Sequence, residues 1–213
     1  MGQKRKAWLT EVPWYLPEGH RFNTTVYLIV GYDSIVFRED VALNLNHPHL
    51  HADQRESVYY LIHELAHAGY FQYHSMPQLR KICANSDLLK VTRNLTHLEG
   101  MGVISALRKR TNDNGFLGRD YQVLMDASEI SKRVTEYFRI LSKQECKPHL
   151  KLKTEHIRVF EKVSGRKTRL WYITGCYIGK QIEKKCGIKT VRHLVIKGAD
   201  EFFKVYNEIQ RHP

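Results

Sequence analysis

Three segments near the start of the chain alternate or cluster β-branched and apolar residues: Thr25 to Tyr32 (TVYLIVGY), Ile35 to Phe37 and Val41 to Leu45 (VALNL). Gly, Asp and Asn separate them, which is the punctuation of turns between short strands, so the pattern predicts a small antiparallel sheet. From Asp53 onward the apolar period changes from two to between three and four. It predicts helices over Asp53 to His74, Asp87 to Lys109, Arg119 to Leu141, Leu170 to Cys186 and Ala199 to Ile209. Asp53, and Asn85 or Ser86, stand where N-caps belong, and Gly187 stands just past the fourth helix. The fold class expected is therefore α+β, a small N-terminal sheet followed by a mainly helical body. No repeat or Gly/Pro/Ser-rich linker divides residues 1–213, which read as a single domain.

Composition narrows the class of protein. With 42% hydrophobic and 26% charged residues in 213, the chain can bury a core, and disorder does not describe the whole. The longest apolar runs, such as Val26 to Val30, are too short to span a bilayer, and Met1 to Lys6 opens no signal-peptide core. Gly2 lacks the Ser or Thr at position 6 that myristoylation prefers. Cys83, Cys146, Cys176 and Cys186 have neither paired C-x-x-C spacing nor the density of a disulfide scaffold. These features predict an unexported, cytoplasmic protein with no membrane partner. A formal charge of +12 raises the possibility of a polyanion or nucleic-acid partner bound through a basic surface. The basic stretch Lys147 to Arg169 reads first as a solvated connecting face and second as a ligand-attracting patch.

The candidate chemistry lies in YYLIHELAHAGY. His63, Glu64 and His67 form H-E-x-x-H in an apolar helical context; random placement of this chain's His and Glu residues would produce the motif about 0.04 times. Residues four apart share a helix face, with Cβ atoms about 5–6 Å apart, so both imidazoles can reach one metal ion, for which zinc is the natural candidate. Glu64 lies beside that site and can take a proton from an attacking water and pass it to a leaving amine. Leu61, Ile62, Leu65 and Ala66 imply a buried helix, where idle imidazoles and a carboxylate would be unfavourable.

A third protein ligand is needed, with the fourth position left to water. His74 falls one residue beyond the extended H-E-x-x-H-x-x-G-x-x-H pattern, whose Gly and last His positions hold Tyr70 and Tyr73. His97 and Glu99 lie on the next helix, about 200° apart around it, so one of them at most faces the site. Glu99 is the choice, because Gly100 and Gly102 follow it and would let its helix pack closely against the motif helix.

In order, the short sheet, VALNL, HELAH and then EGMG (Glu99 to Gly102) resemble uncharacterised families of gluzincin-like zinc-dependent proteases. Farther along, Trp171 to Gly175, Ile182-Glu183, Gly187, Phe202-Phe203 and Tyr206 look similar to their C-terminal helical stretch. The resemblance implies a zincin-like metallopeptidase with His63, His67 and Glu99 on Zn2+, Glu64 as general base, and a peptide or protein as substrate. Val103 stands where thermolysin-like enzymes carry an Asp that supports a ligand His. Tyr172 is the candidate oxyanion donor, with Arg169 and His193 behind it. By analogy, VALNL would be the edge to which a peptide adds as a strand. Two other readings compete. One is a zinc protease directed to nucleic-acid-bound protein; the other is a non-catalytic, metal-stabilised basic binding module, whose mark would be a site closed by a fourth ligand such as His74 or His97. His47 to His51 (HPHLH) reads as a loop at the cleft mouth without a ligand role.

Overall fold

The computed structural model describes residues 12–31, 34–37, 39–75, 82–152, 161–164 and 167–211. Strands β1 (Val26–Ile29), β2 (Ile35–Phe37) and β3 (Asp40–Asn44) form one sheet in the order β1-β3-β2. The helices are α1 (Pro48–Ala52), α2 (Glu56–Phe71), α3 (Asn85–Asp113), α4 (Arg119–Val123), α5 (Ala127–Glu145), α6 (Leu170–Cys186), α7 (Ile188–Lys197) and α8 (Ala199–Arg211). The α+β class expected from the sequence is what the chain adopts.

The sheet is mixed, not wholly antiparallel. β2 and β3 form a hairpin, with Val36 opposite Val41, and the returning β3 slots between β2 and β1. It therefore runs parallel to β1, with Val26 beside Val41 and Leu28 beside Leu43. This placement corrects a second expectation. VALNL is the central strand, bonded on both sides, so no peptide can add to it; Ile35 and Val36 of the outer strand β2 adjoin the cleft described below. Val41 and Leu43 lie two apart and share one pleat face, where they are buried with Val36 toward α2.

Local chemistry explains most helix ends. Asp87 accepts from the backbone N–H groups of Cys83 and Ala84, each at 3.0 Å, and so fixes the start of α3. Asp126 accepts from Ser128 and Glu129, which starts α5 afresh and splits the single helix expected over Arg119 to Leu141. Gly187, at φ 81°, ends α6 at the residue expected. HPHLH is a short helix instead of a loop: Pro48 sits in its first turn and His47 caps it through Nδ1. The ten residues of α7, between Gly187 and Gly198, are helical where the sequence reading left a gap.

α3 runs through the middle of the core, between α2 on one side and α6 on the other. Its crossing with α6 has no room for side chains. A Cβ on Gly100 would stand 2.4 Å from the carbonyl carbon of Gly175, and one on Gly175 would stand 2.1 Å from the Thr96 oxygen. Around that contact α6 buries Ile173, Ile178 and Ile182 completely, each contributing about 1.5–3 kcal/mol of apolar burial. At the other end of the α2–α3 pair, Arg110 makes a bidentate ion pair with Glu56, with Nη2 at 2.7 Å. Both side chains are fully buried, and the guanidinium lies over the rings of Tyr59 and Tyr121.

Candidate metal centre

α2 directs Tyr59, Ile62 and Ala66 into the core, which leaves His63 and His67 on the flank facing α3. Their rings lie 4.5 Å apart, centre to centre, at 62°. From α3, Glu99 brings Oε2 to 3.4 Å from His63 Nε2 and 3.4 Å from His67 Nε2. Gly102, three residues beyond Glu99, makes this convergence possible. A Cβ there would lie 2.7 Å from both His63 Cε1 and His67 Nε2. The two glycines after Glu99 therefore divide the work: Gly102 admits the imidazoles, whereas Gly100 admits α6.

His63, His67 and Glu99 form the metal-capable group among the described residues, their ligand atoms all within 4.8 Å of one another. Two donors each about 2.1 Å from a tetrahedral ion stand about 3.4 Å apart, which is the separation of Glu99 Oε2 from each histidine nitrogen. His67 Nε2 is buried and has no hydrogen-bond partner, as a waiting ligand atom would be. The donor set thus fits a metal ion. Burial disfavours charge on His67, but Glu99, and then Glu64, outweigh it and raise the imidazole above its ordinary range. Burial likewise pushes the Glu99 carboxyl up, and the His67 and His63 imidazoles more than reverse that, holding it well below the usual carboxylate range.

The group opens on a cleft of about 600 Å3 between the sheet, α1, α2 and the start of α6. Glu64 lines this cleft, nearly buried, with Oε2 3.8 Å from His67 Nδ1. Tyr172 lines the wall beyond Glu99. Burial, and then the Glu99 charge, push its phenol up, so it is a protonated donor at neutral pH. Arg169 lies flat on the Tyr172 ring, 3.4 Å from its centre, while its Nε and Nη2 bond the Asp120 carboxylate at 2.6–2.9 Å. Arg169 sits in the left-handed region at φ 52°, a conformation that L residues visit sparingly, at the N-cap of α6.

The other histidines go elsewhere. His74 Nε2 bonds the Val195 carbonyl at 2.7 Å, and His97 is buried on Phe202 with Nδ1 3.1 Å from the Tyr70 hydroxyl. Neither can close the site as a fourth ligand. His193 is exposed on α7 and does not line the cleft, which removes it as an oxyanion donor. His47 and His49 do line it, both within hydrogen-bond reach of the Tyr60 hydroxyl. Sequence reasoning missed Asp120, which orients Arg169 across 49 residues of chain, and the part played by Tyr60; no local signal marks either. Of the basic stretch Lys147 to Arg169, residues 153–160, 165 and 166 lie outside the described residues, as does the end of TVYLIVGY at Tyr32.

Comparison of the chain with protein-family models, curated proteins and solved structures gave no match. Among the described residues, no helix is long and apolar enough to cross a membrane.

Proposed function

We propose that this chain is a zinc-dependent metallopeptidase that hydrolyses peptide bonds in peptides or partly unfolded proteins. The observation that carries the reading is the convergence of His63, His67 and Glu99 beside Glu64 in an open cleft, with no further protein ligand among the described residues. Two imidazole nitrogens and one carboxylate oxygen make a donor set suited to zinc with an open position. Zinc, when bound, supplies Lewis acidity and lowers the pKa of water toward neutrality. Glu64 accepts the proton of the attacking water and returns it to the departing amine. Tyr172 donates its hydroxyl proton in a hydrogen bond to the carbonyl oxygen as that oxygen gains charge, and Arg169, anchored by Asp120, holds the phenol ring in place. The outer strand β2 gives an extended substrate a backbone edge beside the cleft. The four unpaired cysteines suit a reducing cytoplasm.

The test is hydrolysis of a quenched fluorescent peptide library. Glu64→Gln should retain metal and lose about 10²–10⁴-fold in rate, and Tyr172→Phe should lower kcat by about 10²-fold with KM little changed. Full activity in Glu64→Gln would rule out this mechanism.

A further inference from the structure

A second cavity, of about 780 Å3, lies at the N-terminal end of α3, the helix that farther along carries Glu99. It is bounded by the C-terminal part of α5, residues 147–150 and the helical turn at 161–164. Three features of its lining are unusual together. Leu88 and Ile140 are buried and, with Leu150, give it an apolar wall. Lys143, Lys147 and Lys162 stand exposed around it and form no ion pair among the described residues, although Lys162 and Lys143 act at longer range on Glu136, whose two oxygens take up the fourth cation, Arg139, at 2.6 Å. Gln144 is 6% exposed, and neither its Nε2 nor its Oε1 has a hydrogen-bond partner; Asn85, 3% exposed, spends Nδ2 on the Lys147 carbonyl and leaves Oδ1 unpaired. Buried amides with this many unmet bonds are rare in folded proteins and ask for a partner.

We infer that this cavity is a nucleotide-binding site, with the Gln144 amide pairing the edge of a base and Lys143, Lys147 and Lys162 meeting the phosphate. A primary amide offers one donor and one acceptor side by side, which matches the adjacent acceptor and donor on a base edge. The apolar wall covers the ring, and the lysines attract phosphate charge in a salt-dependent way. This assigns a place to part of the +12 charge and to Lys147 and Lys162 of the basic stretch. The nucleotide has two possible sources, a free mononucleotide or one unit of a single strand.

Titration of the full chain with the four nucleoside monophosphates, with a mixed-sequence single-stranded 12-mer and with inorganic phosphate tests the inference. The expected result is saturable binding of a monophosphate or of the 12-mer that weakens at least tenfold in Lys143→Ala/Lys147→Ala and in Gln144→Leu. His63→Ala/His67→Ala should bind as the wild type does, which separates this site from the metal centre. Saturation by a monophosphate alone identifies a free nucleotide as ligand; saturation by the 12-mer alone identifies a strand. Both lysines are exposed, so their double variant folds and keeps the test decisive should Gln144→Leu be unstable by circular dichroism. No binding of either ligand, unchanged binding in the lysine variant, or inorganic phosphate bound as tightly as a monophosphate would overturn the inference.

Discussion

The helix pair α2–α3 buries two charged clusters, and they are built in opposite ways. Near the start of α2, Glu56 and Arg110 meet in a bidentate pair between two tyrosine rings, where each charge answers the other. Two turns farther along α2, His63 and His67 meet Glu99 across 3.4 Å, with His67 Nε2 buried and unbonded. The first cluster pairs a cation with an anion through both Nη atoms and leaves only Arg110 Nε unbonded; the second gathers three donor atoms toward one point, which under the proposed reading a metal ion would fill. Neither burial nor a single unbonded atom therefore distinguishes a structural ion pair from a binding site, since Arg110 Nε is also unbonded; the convergence of three ligand atoms on one point does.

Breaking the ion pair should have the largest effect on the fold. Glu56→Ala strands Arg110 as a buried, unpaired cation, and urea denaturation should show a loss of about 3–5 kcal/mol. Glu99→Leu, by contrast, should cost less metal-free stability than Glu56→Ala, and the cost should shrink as pH rises and the imidazole it attracts loses its charge. Next in size is Gly102→Ala. Its methyl group meets both imidazoles, so overpacking should destabilise the fold by about 1–3 kcal/mol, and metal affinity measured by chelator competition should fall at least tenfold; wild-type affinity in this variant would mean that the imidazoles do not stand where described.

The smallest effect expected is on pH dependence, and its sign follows from His67. Its imidazole is raised in the folded chain by Glu99, so the attraction stabilises the metal-free fold fully below about pH 6.5 and is lost as pH rises through the raised value. Metal needs the neutral imidazole and gains over the same window. Zinc affinity should therefore increase at least tenfold from pH 6 to pH 8, and a flat profile would remove His67 from the ligand set.

Much of this was legible from local signals. H-E-x-x-H marked one helix face, helix geometry allowed at most one of His97 and Glu99 to face the site, and Gly100 and Gly102 pointed to Glu99; the structure sends His97 to Tyr70 and Phe202 instead. α6 begins and ends where its apolar period and Gly187 indicated. Pairing between strands was not legible, because the same β-branched residues serve a parallel or an antiparallel neighbour, and only the insertion of β3 between β1 and β2 made VALNL central. The break before α5 is signalled by Asp126 but falls inside one long periodic run, whereas α7 fills the interval between two runs, bounded by Gly187 and Gly198. Asp120 and Arg169 could not have been paired from the sequence, since their contact depends on how α4 and α6 pack.

The central claim is that His63, His67 and Glu99 constitute an incomplete site that a metal completes, and elemental analysis of the purified chain tests it most directly. The account predicts about one zinc per chain in the wild type and in Glu64→Gln, and none in Glu99→Ala. A wild-type chain without zinc, or zinc that survives the loss of Glu99, would contradict it.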